Sequence, residues 1–307
     1  MNSKVLTVVA PGKLMLFGEH AVIYGYPCIV SALDKYIEIK GKIIDEKDDK
    51  FDIADYSDGF IRRMVSVFRI KYGKKEKIFI SSKSTLGRYG LGSSAAISVA
   101  TVKMLGKLFN IPLSAEELFN ISYEGVLKVQ KGKASGFDLA SSIYGGTILF
   151  DGKTKKTSYL NKGKLPFLTV FTGRKAKTVD IVKKVAQEKL RNPKETEKIL
   201  SEIGKIVLRA ERALKEKNWK VVGKLMNDNQ KLLVELGVSN GMIDKLVKIS
   251  LESGALGAKI SGAGGGDCIL VLVERCLTGK VVENIEKSGG TVLDINVGIG
   301  GGVKVSL

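Results

Sequence analysis

Three glycines in ten residues stand directly before a predicted helix, in the stretch GRYGLGSSAA at 87–96. Glycine lets the backbone approach a ligand closely, and a loop entering a helix directs unpaired amide groups and the positive end of the helix dipole at it. Anions suit such a place, and Ser93 and Ser94 add hydroxyl groups that can bond phosphate or ligate magnesium. The stretch is neither a P-loop nor a GxGxxG fingerprint. As an isolated string it is equally compatible with a tight, packed turn.

A second glycine cluster, GAKISGAGGGDC at 257–268, precedes the apolar run ILVLV. Two such loops in one chain indicate two sides of a single phosphate-rich site. A third stretch, APGKLMLFGEHAVIYGYPCIV at 10–30, carries Lys13, Glu19 and the one histidine of the chain, His20. A lone histidine is more often structural than catalytic, but these neighbours favour a functional role.

Alternating apolar segments predict an α+β fold. Helices are predicted at 60–73 and 95–110, residues 178–256 are predicted to be mainly helical, and the acidic stretch 45–59 is predicted to be irregular. Ser114 with Glu117 three residues later is a capping-box signature for a further helix. Strands are predicted at 4–10, 36–45, 77–84, 145–150, 167–173, 267–274 and 302–307.

Lys and Arg outnumber Asp and Glu by 50 to 32 in the 307 residues, a formal charge of +18. The basic residues recur among acidic ones along predicted helices, and no aromatic-rich RNA-binding motif accompanies them. We therefore predict no nucleic-acid partner, and a basic nucleic-acid-binding protein remains the non-enzyme alternative. A polyanionic small substrate would benefit from the same positive field.

The N-terminal segment does not have the pattern of a signal peptide, since Lys4, Pro11 and Lys13 interrupt its apolar residues. No apolar stretch approaches the roughly 20 residues that a membrane span needs. We therefore predict a cytoplasmic protein with no membrane partner. Three cysteines without metal-ligand spacing are predicted to be reduced and mostly buried: Cys28, Cys268 and Cys276.

The stretches PGKLMLFGEH, GLGSSAA and KISGAGGGDC resemble, in order and spacing, the three motifs of the GHMP kinase superfamily, and the resemblance covers essentially the whole chain. It implies an α+β GHMP kinase fold with a ribosomal-protein-like N-terminal domain at 1–165 and a ferredoxin-like C-terminal domain at 166–307. It also implies an ATP-dependent small-molecule kinase with Mg²⁺ as cofactor, in which backbone amides of the second motif hold ATP. A monomer or homodimer is expected.

The motifs point to two different acceptors. FGEHAVIYGYP is similar to mevalonate kinase, whereas RYGLGSSAA, KASGFDLASSIYGG and GAGGGDC are more similar to phosphomevalonate kinase. Mevalonate kinases usually carry a magnesium-binding glutamate before the catalytic aspartate; that position is Val126 here, and Glu124 lies two residues too early. A phosphate acceptor is already ionised and needs cations more than a base. We therefore expect phosphorylation of 5-phosphomevalonate, with the 5-hydroxyl of mevalonate as the alternative acceptor.

The resemblance also implies roles for individual residues. Lys13 neutralises charge at the transferred phosphoryl group, and Asp138 orients Lys13 and the acceptor, acting as a base only on an alcohol. Their structural alternatives are a solvated strand-end lysine and a helix N-cap. The nucleotide is expected to meet Arg88, Tyr89, Gly90, Leu91, Gly92, Ser93, Ser94 and Ala95, with Ser94 also ligating the metal. The acceptor is expected to meet Glu19, His20, Tyr24, Ser142, Ser261, Gly262 and Ala263, with Arg174, Lys175 and Arg88 as candidate cations for its phosphate.

Overall fold

The protein forms two β-sheets with α-helices packed against them, in a computed structural model that describes residues 5–53, 55–130, 132 and 134–306. The first sheet has seven strands in the order β11-β1-β2-β4-β3, with β5 paired to β2 and β6 paired to β5. Its strands are β1 (Leu6–Phe17), β2 (Cys28–Ile44), β3 (Lys50–Asp52), β4 (Lys77–Ser84), β5 (Thr147–Phe150), β6 (Thr157–Asn161) and β11 (Lys304–Ser306). All pairs are antiparallel except β3–β4.

Four helices accompany this sheet: α1 (Asp55–Tyr72), α2 (Ser93–Leu108), α3 (Ala115–Val129) and α4 (Phe137–Tyr144). Helix α2 is the central one, because it contacts β1, β2 and all three other helices. Most of its side chains are buried, and many are alanine, serine or glycine, which allow close packing on several sides. Helix α3 begins with the predicted capping box: the Ser114 side chain accepts the Glu117 amide, and the Glu117 side chain accepts the Ser114 amide.

The second sheet is antiparallel, in the order β10-β7-β9-β8. Its strands are β7 (Phe167–Phe171), β8 (Gly257–Ser261), β9 (Cys268–Leu272) and β10 (Thr291–Leu293). The helices of this half are α5 (Thr178–Arg191), α6 (Pro193–Lys215), α7 (Trp219–Glu235), α8 (Gly241–Glu252) and α9 (Thr278–Lys287). The predicted α+β class is observed, and the predicted helical region 178–256 is confirmed.

Several boundaries differ from those predicted from sequence. Strand β1 continues to Phe17, well past the predicted end at residue 10, and the predicted start at Lys4 lies outside the described residues. Helix α1 begins at Asp55, inside the stretch predicted to be irregular. Strand β11 pairs with β1, so residues 304–306 lie in the first sheet, whereas the sequence-based second domain was placed at 166–307. That pairing is non-local and leaves no periodic signal in the sequence.

The cysteines and the apolar character of the helices can be compared with the sequence-based predictions. Cys28 and Cys268 are buried and Cys276 is exposed, and all three are free thiols. Across the described ranges, no helix combines the length and the apolar character needed to cross a membrane.

Helix α7 packs directly against the edge strand β8. The Asn227 side chain bonds the Leu256 carbonyl and the Ala258 amide, and the Gln230 side chain accepts the Ile260 amide. The Asn227 and Gln230 side chains thus bond the backbone groups that a further strand would otherwise bond. They cover a strand edge that could otherwise pair with another chain and promote aggregation. The approach is so close that a Cβ atom on Gly223 would lie 2.5 Å from the Leu256 carbonyl oxygen.

We expect Gly223→Ala to destabilise the protein by about 1–3 kcal/mol, because the added methyl group meets backbone that cannot move aside. Gly279→Ala in α9 is the matched control, since a Cβ atom there has nothing within 4 Å and alanine is the better helix former. Chemical denaturation of both variants provides the measurement. Equal stability of the two would show that α7 does not depend on close contact with β8.

Candidate active site

The site is built on the free edge of strand β1. Strand β11 pairs with β1 only through Val9, and the β1–β2 ladder shifts register between Pro11 and Lys13. Proline cannot donate a ladder hydrogen bond, and a register shift re-aims the side chains that follow it. The Lys13 amide donates to the Leu91 carbonyl at 2.8 Å, and this bond joins the first glycine loop to β1.

The first glycine loop leads into α2 with its helical amides uncapped by any side chain. Gly92 is the N-cap residue, at φ 83°, and no side chain within the described part of the chain caps it. Ser93 and Ser94, both half-buried, are the first residues of the helix. Such an uncapped N-terminus at a left-handed glycine can accept an anion. A Cβ atom on Gly92 would lie 2.7 Å from Cγ of Lys13, so the loop and this lysine are in direct contact.

Lys13 lies beside the start of α4, the helix that carries Asp138. The Lys13 side chain is only 9% exposed, and its Nζ lies 5.4 Å from the centre of the Phe137 ring. Half-buried Asp138 lies in the first turn of α4, where its Oδ1 accepts the Leu139 amide at 3.0 Å. Burial raises the pKa of Asp138, and the charge of Lys13 opposes that shift. The N-cap of α4 is Gly136, so the N-cap interpretation of Asp138 is wrong, as is that of Lys13 as a solvated strand-end residue.

The turn after β1 carries two buried polar side chains. Glu19 is fully buried and forms an ion pair with Lys259 of β8. His20 is 4% exposed, adopts φ 60°, and its Nε2 bonds the Ala263 carbonyl at 2.9 Å. Burial raises the pKa of Glu19 and lowers that of His20, while Lys259 opposes the first shift and the Ala263 carbonyl opposes the second. The Glu19 side chain is thus enclosed by protein and is not exposed to solvent.

The second glycine loop contacts both the first loop and the segment before α5. Asp267 has φ 55°, and its Oδ1 accepts the Ala176 amide at 3.1 Å. Gly90 of the first loop lies against the Asp267 carboxyl group. The Cys268 thiol donates to the Tyr89 carbonyl at 3.3 Å. The two glycine clusters are therefore in contact; that they form two sides of one phosphate site stays a prediction.

The remaining predicted site residues fall into two groups. Ser142 and Ser261 are buried, and their hydroxyl groups donate to the Pro11 and Met15 carbonyls of β1, each at 2.9 Å. They tie α4 and β8 to β1 and do not present free hydroxyl groups. The others are exposed or half-buried, and their ligand roles stay predictions: Arg88, Tyr89, Tyr24, Gly262, Arg174 and Lys175. Among them, Tyr24 lies beside Lys189 of α5.

Three residues of the site were given no role in the sequence analysis. Phe137 was noted only as a motif residue, yet its ring lies beside Lys13. Asp267 was likewise noted only as a motif residue, although its carboxyl group reaches the first glycine loop. Lys259 was missed entirely, although a lysine in the otherwise apolar strand GAKIS is itself a signal, since a buried charge requires a partner.

The α3 positions compared with the family's magnesium-binding glutamate are Val126 and Glu124. Val126 is 3% exposed and packs in the core, while exposed Glu124 forms a 2.6 Å ion pair with Lys128. Within the described residues, no three or more His, Cys, Asp or Glu side chains are grouped to hold a metal. The hydroxyl group of Ser94 and the oxygens of a bound phosphate are hard oxygen donors of the type that magnesium accepts.

Comparison with known proteins identifies the family. The family models described as GHMP kinases N terminal domain and GHMP kinases C terminal match residues 59–146 and 210–285. Mevalonate kinase of Pyrococcus furiosus is 33% identical, over 92% of this chain and 93% of the relative. The crystal structure of Methanococcus jannaschii mevalonate kinase superposes with a TM-score of 0.80 at 27% identity, covering 98% of this chain and 100% of that chain.

A structure of Streptococcus pneumoniae phosphomevalonate kinase gives the same TM-score of 0.80, at 20% identity and over 95% of this chain and 99% of that one. At that identity the likeness concerns the fold alone, so the fold does not distinguish the two acceptors. The GHMP kinase fold predicted from the three motifs is confirmed. The chain belongs to the GHMP kinase family and is an ATP-dependent small-molecule kinase.

Proposed function

We propose that the enzyme transfers the γ-phosphoryl group of ATP to the 5-hydroxyl of mevalonate. One observation carries this proposal: the Pyrococcus furiosus relative, 33% identical over more than nine-tenths of both chains, is a mevalonate kinase. Phosphomevalonate kinase resembles this chain at only 20% identity. The comparison thus favours the alternative acceptor of the sequence analysis over 5-phosphomevalonate, and FGEHAVIYGYP was the better guide.

The pair of Lys13 and Asp138 suits an alcohol acceptor. An alcohol must lose its proton as the phosphoryl group is transferred, and a carboxylate with a raised pKa is a better base for that proton. Burial raises the pKa of Asp138 in this way. Lys13, held in β1 beside the first glycine loop, can stabilise negative charge on the transferred group.

The nucleotide phosphates are proposed to lie on the amides at the start of α2. The Gly92 turn and the absence of a side-chain cap there support this placement. Ser94 is proposed to ligate magnesium together with phosphate oxygens, since its hydroxyl group is a hard oxygen donor at the start of α2. When bound, magnesium neutralises phosphate charge. Ser93 and Ala95 contribute to the same helix terminus.

The acceptor is proposed to lie between Asp138 and the turn that carries His20, on the side of Gly262 and Ala263. The His20–Ala263 hydrogen bond fixes the two segments that border this place. Arg174 and Lys175 are exposed on the loop before α5. They add surface charge but do not form a buried pocket for a second phosphate, which also favours mevalonate as the acceptor.

The acceptor is tested by measuring kcat/KM with mevalonate and, separately, with 5-phosphomevalonate, following ADP formation and the phosphorylated product. We expect mevalonate to be preferred by at least about a hundredfold, because its hydroxyl group matches the base while the second substrate brings an uncompensated phosphate. A small alcohol such as galactose is the control for non-specific transfer. A preference for 5-phosphomevalonate would overturn the proposal.

The nucleotide loop is tested with Gly92→Ala. The added Cβ atom would be strained at φ 83° and would crowd the Lys13 side chain, so ADP affinity and kcat should both fall about tenfold or more. Gly73→Ala is a matched control, because Gly73 has φ 65° and open space around it. It should share the loss of stability but retain ADP binding. Calorimetric titration with Mg–ADP gives the readout, and unchanged affinity in Gly92→Ala would refute the placement of the phosphates.

A further inference from the structure

A buried ion pair joins the turn after β1 to the strand that leads to the second glycine loop. Lys259 lies in the middle of β8, and both it and Glu19 are wholly buried. The Lys259 ammonium group also donates to the Ile260 carbonyl at 2.5 Å. Removing two charges from water costs several kcal/mol per ion, and an apolar pair of similar volume often serves the fold as well. The ion pair therefore suggests a role beyond stability.

Two further contacts join β1 and the turn after it to β8 and the second glycine loop. Ser261, two residues after Lys259, donates to the Met15 carbonyl, and His20, next to Glu19, bonds the Ala263 carbonyl. His20 adopts φ 60° and ψ −44°, a backbone conformation that is costly unless the surroundings fix it. The Glu19–Lys259 ion pair is the one charged contact among these three, and Glu19 directly precedes the strained residue His20.

Glu19 and His20 each retain unused hydrogen-bonding capacity. Oε2 of Glu19 and Nδ1 of His20 are buried without a hydrogen-bond partner in the described structure. The charged groups around Glu19 are Lys259 on β8 and Lys13 on β1; the Cys28 thiol on β2 and the His20 ring also titrate there. Lys259 provides the contact that compensates the carboxylate, because it both pairs with it and donates to it.

We propose that Lys259 is a positioning residue: through its ion pair with Glu19 it holds the His20 turn against the second glycine loop, in the arrangement that the acceptor meets. The involvement of the acceptor rests on the proposed function, whereas the position of His20 does not. Removing the ammonium group leaves an uncompensated buried carboxylate, which takes up a proton or draws in water. In either case the turn loses its fixed position.

The first test uses the imidazole NMR signals of tag-free protein, in which His20 is the one histidine. In the wild type, burial lowers the pKa of His20. In Lys259→Met we expect shifted ring signals and a His20 pKa that moves up toward the ordinary value of about 6.5. Lys128→Met, which breaks an exposed ion pair with Glu124, is the control and should leave the signals unchanged. Unchanged His20 signals in Lys259→Met would overturn the proposal, whichever acceptor the enzyme uses.

The second test compares kinetics and stability in Lys259→Met and in the double variant Glu19→Gln/Lys259→Met. Lys259→Met should raise KM for mevalonate at least about tenfold while KM for ATP changes less than about twofold. Its unpaired Glu19 has a folded pKa raised above the unfolded value, so its unfolding free energy should be largest at low pH and fall as pH rises through that pKa. The double variant should lose this pH dependence and regain stability, yet keep the high KM.

A double variant with wild-type KM for mevalonate would mean that Lys259 serves the fold alone, and would overturn the proposal. If the wild-type enzyme does not phosphorylate mevalonate, the proposed function fails, and the NMR comparison still decides whether Lys259 positions His20.

Discussion

The site depends on one strand edge that β11 leaves free. Strand β11 pairs with β1 only as far as Val9, and beyond that point the backbone of β1 bonds the first glycine loop, α4 and β8 in turn. The central bond is the one from the Lys13 amide to the Leu91 carbonyl, because it places the loop beside the Lys13 side chain. Elements that are far apart in sequence thus share a single rigid support, as precise functional sites require.

Burial gives the charged groups of this site their individual properties. Asp138 and Glu19 both have pKa values raised by burial, but they have different partners. The charge of Lys13 opposes the pKa shift of Asp138, and under the proposed function the Asp138 carboxylate accepts the proton of the acceptor alcohol. Glu19 is instead paired with Lys259, and we propose that this pair fixes the neighbouring turn. Under these proposals the Asp138 carboxylate takes part in the chemical step, whereas the Glu19 carboxylate helps to position the turn.

Local features of the fold could be predicted from sequence, and long-range ones could not. The capping box at Ser114 and the glycine loops depend on residues that are neighbours in the sequence, so both could be predicted from it. The Glu19–Lys259 pair spans 240 positions, and the Ser142 bond to β1 spans 131. No periodicity signals such contacts. The expectation of 5-phosphomevalonate came from short motifs weighed separately, whereas similarity along the whole chain favours mevalonate.

We propose that Asp138 acts on the proton of the acceptor while Lys13 stabilises the transferred group. The most direct measurement is a single-turnover, rapid-quench experiment on Asp138→Asn with mevalonate and ATP. Asparagine keeps the oxygen that accepts the Leu139 amide, so folding and ADP affinity should be retained, while the chemical step slows by about 10²–10⁴-fold. Asp294→Asn, at an exposed position, is the control and should be as fast as the wild type. A chemical step in Asp138→Asn within about threefold of the wild type would contradict the account.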